Sequence, residues 1–453
     1  MNGNEHTARV PRINLLFVAN TIAYRWRTDR PCVTVAAMMS DLRDFRLVTA
    51  SAYPGMMAPL TTHPSCICVL SGDADRTLGQ PNGQDPAATL SLEALDGVRR
   101  RWRFGDVARL ADFVPKVLAD ETRTDRRPIL LIPPRASAAW EAAATAWPAK
   151  VRVAASPRPV VEPIAEDKIQ VREWLRRIDI PVPTAIATAD VDFKTIAATL
   201  GVPFVMQAPS GAGGQGTFLI HTLQDAQRAQ AQQPHVDRWL LSRFCGELTI
   251  NVSGIAHADG VRQLPVSIQT SGVPRLGVDF GAYCGSDFVA AANLPDAVLV
   301  QAAQICARIG QWLQERGHRG VFGADVAVDG QELAVLEVNP RIQGSSWLVG
   351  CLEQHVMAIL GAPVPACTEA PAPGSHLLVR WSGPAGVIHA VPAAAEGITA
   401  LPTVGTTVLP GAIIARIQAP HSLALPGGRE LQPSTHALLD RLLESFEITT
   451  ANV

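Results

Sequence analysis

The stretch Gly320–Trp347 (GVFGADVAVDGQELAVLEVNPRIQGSSW) constrains this chain more than any other. Two apolar runs, Val321–Val328 and Leu333–Val338, flank an Asp329-Gly330 turn signal, which predicts a β-hairpin leading into a loop. Its polar residues interrupt the strands: Asp325 in the first, Glu337 and Asn339 in the second. An extended chain turns Glu337 and Asn339 to one face, and Arg341 continues that parity. Two carboxylates, a neutral oxygen donor and a guanidinium on one patch suit a hard cation bridging phosphate oxygens, with the arginine gripping phosphate as a planar fork. An ordinary solvated hairpin fits less well, because a lone charge inside Leu-Ala-Val-Leu-Glu-Val-Asn would be costly. The register poses a problem. A strict two-residue turn at Asp329-Gly330 pairs Val328 with Gln331 and sets Asp325 opposite Ala334, roughly 10 Å of strand short of Glu337. The site therefore requires a longer turn or a bulge.

The 453 residues leave room for about two to four domains. At 47% hydrophobic and 18% charged residues, the chain is globular. Its 39 basic and 41 acidic residues give a net charge of −2, so no global field favours nucleic acid or an anionic membrane. The run Arg99-Arg100-Arg101-Trp102-Arg103 is short and reads as solvated surface. No apolar run reaches the length of a membrane span, and MNGNEHTARVPR lacks a signal-peptide core. The eight cysteines are scattered, and Cys66-Ile-Cys68 has neither zinc nor redox spacing. A cytoplasmic enzyme with reduced thiols is the expectation.

Short apolar strands such as residues 13–19 and Ile129–Ile132 alternate with helical segments such as the one around Ala136–Ala146. That rhythm predicts an α/β domain with a parallel sheet over residues 1–160, with Gly79–Ala88 as a surface loop. A second unit, 161–362, opens at Glu166-Asp167-Lys168, where Val171, Trp174, Leu175 and Ile178 follow at helical spacing. Strands are predicted at Pro203–Gln207, Gly216–His221, Arg238–Phe244, Glu247–Ile255 and Val261–Ile268. A helix from Asp296 to Arg316 places Val298, Ala302, Ile305, Ile309 and Trp312 on one face. Residues 362–375 read as a linker, and 376–453 as a small mixed or β-rich domain.

Between two of those strands lies Ser210-Gly-Ala-Gly-Gly-Gln-Gly216. Its N–H groups, unobstructed by side chains, can form an anion nest over phosphates. Lys168, at the start of a helix, has the reach to join it. Neither signal is specific alone; their conjunction with Asp325, Glu337, Asn339 and Arg341 is.

With Glu166-Asp167-Lys168, Pro203–Gly216, Gly246-Glu247 and Leu336-Glu-Val-Asn-Pro-Arg341, the chain resembles the ATP-grasp superfamily of carboxylate–amine ligases and related carboxylases. The resemblance covers about residues 1–360 and implies an α/β and α+β ATP-grasp fold behind an N-terminal α/β domain. It implies ATP and Mg2+ (or Mn2+) as cofactors, with Asp325, Glu337 and Asn339 as metal ligands. Lys168 would contact ATP phosphates, with Gly211, Gly213, Gly214 and Gly216 as a lid over them. Gln207, Ser242, Arg243 and Glu247 fall at nucleotide-contacting positions. Arg341 would steady the transferring phosphoryl group. With it, Ser345 is the candidate at the reacting centre, and Gly344, Ser346 and Arg275 are candidate substrate contacts. Small-molecule carboxylates and amines are the implied substrates, and a homodimer is the assembly analogy suggests.

Two departures qualify this. Gln207 stands where such proteins place a Lys or Arg, and Ser242-Arg243 where they place an acid. A degenerate grasp protein that binds nucleotide without turnover is one alternative; the complete metal set speaks against it. A biotin-carboxylase-like, bicarbonate-activating enzyme is the other. Such enzymes follow Arg-Ile-Gln with Val-Glu-His, whereas this chain has Gly344-Ser345-Ser346, and serine is a poor base. No Gly-x-Ser-x-Gly elbow, His-Glu-x-x-His or Cys/His spacing suggests other chemistry.

Overall fold

The computed structural model describes residues 155–211, 214, 216–346, 348–349, 351–361, 363–364, 374–393, 395–400, 404, 407–408 and 410–450; before 155 it describes seven strands and the helical pairs 141–142 and 145–146. The chain divides into two compact units, residues 1–155 with 401–407, and 156–400 with 408–453.

In the first unit the strands β1 (Leu15–Phe17), β2 (Arg46–Ser51), β3 (Cys66–Leu70), β4 (Thr89–Ser91) and β6 (Ile129–Ile132) lie in the order β1-β6-β2-β3-β4. Every neighbouring pair is parallel, as short, nearly continuous apolar strands lead one to expect. β5 (Arg103–Phe104) and β7 (Val151–Val153), the latter parallel to β6, complete the strands before residue 155. The loop 79–88 and most of the segment around 136–146 lie outside the described residues.

The second unit opens with helices α1 (Arg158–Glu166) and α2 (Lys168–Arg177). The Asp167 carboxylate caps α2 by accepting from Gln170 N at 2.9 Å. Val171 and Leu175 face the core, and Trp174 meets Trp312 with ring centroids 5.7 Å apart. A four-stranded antiparallel sheet follows, in the order β10-β9-β11-β8, from β8 (Ala185–Thr188), β9 (Phe204–Gln207), β10 (Thr217–Ile220) and β11 (Trp239–Arg243). Helices α3 (Phe193–Leu200) and α4 (Leu223–Gln232) cover one face, burying Phe204, Met206, Trp239 and Leu241 against Ile196, Leu200, Ala226 and Ala229. Strand alternation then leaves Val205, Gln207, Leu240 and Ser242 together on the opposite face.

The site is built on a nine-stranded sheet. Its strands are β12 (Leu248–His257), β13 (Gly260–Gln263), β14 (Ser267–Ser271), β15 (Tyr283–Asp287), β16 (Gly320–Asp329), β17 (Glu332–Asn339), β18 (Ser375–Arg380), β20 (Ile398–Ala400) and β22 (Ile413–Ala419). They lie in the order β17-β16-β12-β14-β15-β18-β22-β20, with β13 paired to β12. After β15 come the short α5 (Phe288–Ala291) and the long α6 (Asp296–Glu315). On α6, Val298, Ala302, Ile305, Ile309 and Trp312 are buried as their spacing predicts. They pack on Ile250, Val252, Ile268, Ala324, Val326 and Val338, one face of the sheet. Each such aliphatic side chain, fully buried, contributes about 1.5–3 kcal/mol. Gly254 and Gly310 let helix and sheet approach closely, since a Cβ at either would meet the Phe322 ring.

Two expectations change. The single run Val261–Ile268 is two strands, β13 and β14, because Leu264-Pro265-Val266 interrupts it and proline has no N–H for the ladder. The segment beyond the linker, read as a small domain of its own, contributes β18 and β22 to this same sheet through the β15–β18 pairing. The remaining elements are β19 (Gly386–Ala390) paired antiparallel with β23 (Glu447–Thr450), β21 (Thr407–Val408), α7 (Leu352–Ile359) and α8 (Pro433–Glu444). Among the described residues no helix is long and apolar enough to cross a membrane.

Candidate active site

The face of the nine-stranded sheet opposite α6 is polar. Directly opposed residues of neighbouring strands share a face, and the register Glu337↔Asp325↔Asn251↔Ser267 lays a polar row across four strands. Gln269, two residues on from Ser267, carries it to Ser286 and His376. The alternation Thr249-Ile-Asn-Val-Ser253 in β12 is the local origin: Ile250 and Val252 go to the core, Asn251 and Ser253 to the polar face.

The register problem of the hairpin is solved by a bulge. The turn is Gly330-Gln331, one residue later than expected, with Asp329 opposite Glu332. A positive φ of 62° at Gly330 matches the first central position of a type II′ turn. Pairing runs regularly to Val326↔Val335 and then skips Leu336, so that Asp325 faces Glu337. The extra residue swaps parity: Leu333 and Val335 face the core before it, Val338 after it. Without it Glu337 would stand opposite Ala324, pointing into the apolar core.

Asp325 is the hub. Its Oδ1 accepts from Asn251 Nδ2 at 2.9 Å and from Gln269 Nε2 at 2.6 Å, and its Oδ2 accepts from Asn339 Nδ2 at 3.4 Å. Asn251 Nδ2 also donates to Gln343 Oε1 at 2.7 Å, and Asn251 Oδ1 accepts from Ser345 Oγ at 3.4 Å. Past Pro340 the chain turns, Arg341 N donating to Asn339 O at 2.8 Å, and the Arg341 guanidinium folds back onto Asn339 Oδ1 at 3.0 Å. A cation held by both carboxylates would take Asn339 through its oxygen, which a half-turn of the amide supplies. Among the described residues no group of three His, Cys, Asp or Glu converges. The two carboxylates and the amide oxygen gathered here are hard donors, a set that would suit magnesium, which commonly uses one or two carboxylates plus substrate phosphates.

Burial, and then the Glu337 charge, push the Asp325 carboxyl up to about 6 from its ordinary 3.8, against the hydrogen bonds of Asn251 and Gln269 and the Arg341 charge. The folded state therefore holds this proton more tightly than the unfolded chain. Its stabilising contribution is complete below about pH 4 and is lost as pH rises through about 6. Thermal melts without metal should show that decline, reduced in Asp325→Asn. Affinity for Mn2+ should rise across the same window as the carboxylate deprotonates. A wild-type melt no more pH-sensitive there than the variant's would contradict this.

Gly323, opposite Asn339 on β16, leaves the space that the Gln343 side chain fills; a Cβ there would land on the Gln343 amide. Gly323→Ala should expel that amide and strip Asn251 of an acceptor, costing about 1–2 kcal/mol in denaturant unfolding. Wild-type stability would show that Gln343 relocates at no cost.

Lys168, nearly buried, donates from Nζ to Gly211 O at 3.1 Å, and its backbone N donates to Pro209 O at 3.0 Å, so it is tied to the glycine loop. Gly214 and Gly216 have φ of 86° and 70°, and a Cβ at Gly214 would collide with the Gly281–Ala282 backbone. Gly213 lies outside the described residues. Gln207 donates to Thr217 Oγ1 at 3.4 Å, and Ser242, on the same face, has a buried hydroxyl with no hydrogen-bond partner among the described residues. Arg243 does not join them: it is exposed and has the opposite strand parity. Glu247 is exposed, and its carbonyl accepts from Arg429 Nε at 3.1 Å.

Arg275 is not brought to the cluster; it is exposed and ion-paired with Asp440 on α8. Ser346 caps the turn, accepting from Gln343 N at 3.0 Å, while Gly344 is partly exposed beside it. Sequence reasoning missed Asn251, Gln269 and Gln343. The polar interruptions in the β12 run and the position of Gln343 two residues after Arg341 were the available signals.

Residues 165–345 match a family model described as an ATP-grasp domain. A formate-dependent phosphoribosylglycinamide formyltransferase of Nitratidesulfovibrio vulgaris is 28% identical over 253 residues, covering 51% of this chain and 61% of the relative. The chain thus spans less than two thirds of that relative's length. Among solved structures, the biotin carboxylase domain dimer of Hydrogenobacter thermophilus 2-oxoglutarate carboxylase superposes with a TM-score of 0.57 at 14% identity, over 96% of this chain and 90% of that one. Carboxyaminoimidazole ribonucleotide synthase of Aspergillus clavatus gives a TM-score of 0.54 at 14% identity, over 88% and 99%. Over residues 165–345, where the paired acids of the polar face lie, the chain is thus similar to ATP-grasp domains, and it shares its fold with these solved structures.

Proposed function

We propose that this protein is an ADP-forming ligase that joins a small carboxylate to an amine through an acyl phosphate. The observation that carries the reading is the Asp325–Glu337 pairing across the bulge, with Asn339 and Arg341 beside it. Those residues would hold Mg2+ (or Mn2+), which when bound supplies positive charge to ATP phosphates. Lys168 would neutralise phosphate oxygens, with the N–H groups of Gly211, Gly213, Gly214 and Gly216 around them. Gln207, Ser242 and Glu247 would line the nucleotide.

In this reaction a carboxylate oxygen of the acid attacks the γ-phosphorus and ADP leaves. The amine nitrogen then attacks the acyl carbon, phosphate departs with the C–O electron pair, and the nitrogen loses a proton. No side-chain nucleophile is needed; positioning and electrostatics suffice. Arg341 would grip the transferring phosphoryl group, and Gly344-Ser345 would border the acceptor. The formyltransferase relatives are named for dependence on formate, itself a small carboxylate, which supports the substrate class. A soluble homodimer in the cytoplasm, with small-molecule partners only, completes the proposal. A bicarbonate-activating reading has less support, because Ser345 is buried and bonded to Asn251, and brings no carboxylate base.

The test is phosphate release from Mg·ATP with pooled small acids and amines, followed by mass spectrometry of products. Phosphate and a dehydrated adduct that require both substrates support the ligase. Release with bicarbonate alone revives the carboxylase, and absence of any nucleotide binding ends the reading.

A further inference from the structure

Arg172 lies outside every motif discussed so far, yet it touches the one backbone irregularity on which the cation site depends. It is 2% exposed, in the middle of α2. Its Nε and Nη2 both donate to Leu336 O, at 3.2 and 3.1 Å, while Nη1 has no hydrogen-bond partner among the described residues. Leu336 is the residue skipped by the β16–β17 ladder, so it has no residue opposite it across the bulge. The adjacent N–H, that of Val335, donates to Pro181 O at 2.8 Å, in the extended segment after α2. The bulge is therefore held from the outer edge of the sheet by α2 and the chain that follows it.

We infer that Arg172 is a positioning residue of the cation site, its forked donation to Leu336 O holding the bulge that turns Glu337 toward Asp325. The inference rests on the reading of Asp325 and Glu337 as cation ligands. A guanidinium is suited to the task because two N–H groups of a rigid plane close on one oxygen, and its charge strengthens both bonds. The Glu337 charge favours the charged guanidinium, a smaller influence than burial and the neighbouring Arg176. Burying an arginine among α2, β17 and the Pro181 segment costs desolvation, which lowers its pKa to about 10. A methionine of similar length would fill the space without that cost, so packing alone does not account for the residue. Lys168 sits one helical turn earlier on the same face, so α2 presents a phosphate-facing cation and the bulge clamp together.

The test measures Mn2+ affinity by electron paramagnetic resonance, with a non-hydrolysable β,γ-methylene analogue of ATP, on wild type, Arg172→Met, Arg172→Lys and Asp325→Asn. Arg172→Met should weaken Mn2+ by about 10–100-fold, the usual effect of losing a partner behind a metal ligand. Nucleotide affinity at saturating Mn2+ should stay near wild type. Arg172→Lys, with one ammonium in place of a fork, should fall between. A purely packing role would instead lower the melting temperature and leave Mn2+ affinity unmoved. If Arg172→Met does not fold, Arg172→Lys carries the same readout. Wild-type Mn2+ affinity in a folded Arg172 variant overturns this inference while leaving the ligase reading intact. Failure of wild type to bind Mn2+, or indifference to Asp325→Asn, removes the cation site itself and the inference with it.

Discussion

Glu337→Gln should lower phosphate release in the ligase assay by at least about 10³-fold, equivalent to roughly 4 kcal/mol of barrier, and leave the protein folded. Glu337 and Asp325 are the two carboxylates that the bulge sets opposite one another, so losing one removes half of that paired charge. The amide is nearly isosteric, which separates charge from shape. Stability should move the other way. The Glu337 charge is the second cause, after burial, of the raised Asp325 carboxyl. Removing it lets Asp325 ionise more readily, so above about pH 6 the variant should melt at or above the wild-type temperature. Loss of turnover with retained or raised stability is the signature of a charge kept for function. A variant that turns over like wild type would sink the assignment of Glu337.

Arg341→Ala should lower turnover by about 10³-fold, the low end of what an arginine aimed at a transferring phosphoryl group supplies. The guanidinium is half-buried and held over Asn339 by its bond to Oδ1 and by a second to Ile342 O at 3.1 Å. Arg341→Lys should recover only part of the loss, since an ammonium cannot present two parallel donors. Steady-state kinetics and Mn2+ titration together separate the roles. If the loss lies in kcat with Mn2+ affinity kept, Arg341 acts on the phosphoryl group. A loss confined to Mn2+ affinity would make it only a support for Asn339.

Much of the site was legible in the chain because its chemistry is local. Asp325, Glu337, Asn339 and Arg341 lie within seventeen residues on one hairpin, and polar interruptions of apolar runs mark them. The strand-turn-strand reading, the long helix with its buried face, and Lys168 at a helix start next to a glycine loop followed from periodicity and turn chemistry. Even the need for a bulge could be stated, because a two-residue turn put Asp325 and Glu337 out of register.

What composition and period could not decide was anything set by non-local pairing. Asn251 and Gln269 reach Asp325 only because β12 lies beside β16 and β14 beside β12, and 74 and 56 residues separate them from it in sequence. Arg172 is 164 residues from the carbonyl it grips. The strand parity that turns Arg243 away from Gln207, and the ion pair that keeps Arg275 with Asp440, likewise follow from which elements pack together. The C-terminal strands read as a separate domain because their sequence shows short strands but not their neighbours. By itself, then, the sequence determined the local elements, the paired acids and the superfamily they resemble. The tertiary structure alone decided the placement of the bulge, its clamp and the amide network around Asp325. Those depend on hydrogen bonds between distant backbone groups, which leave no periodic mark on the chain.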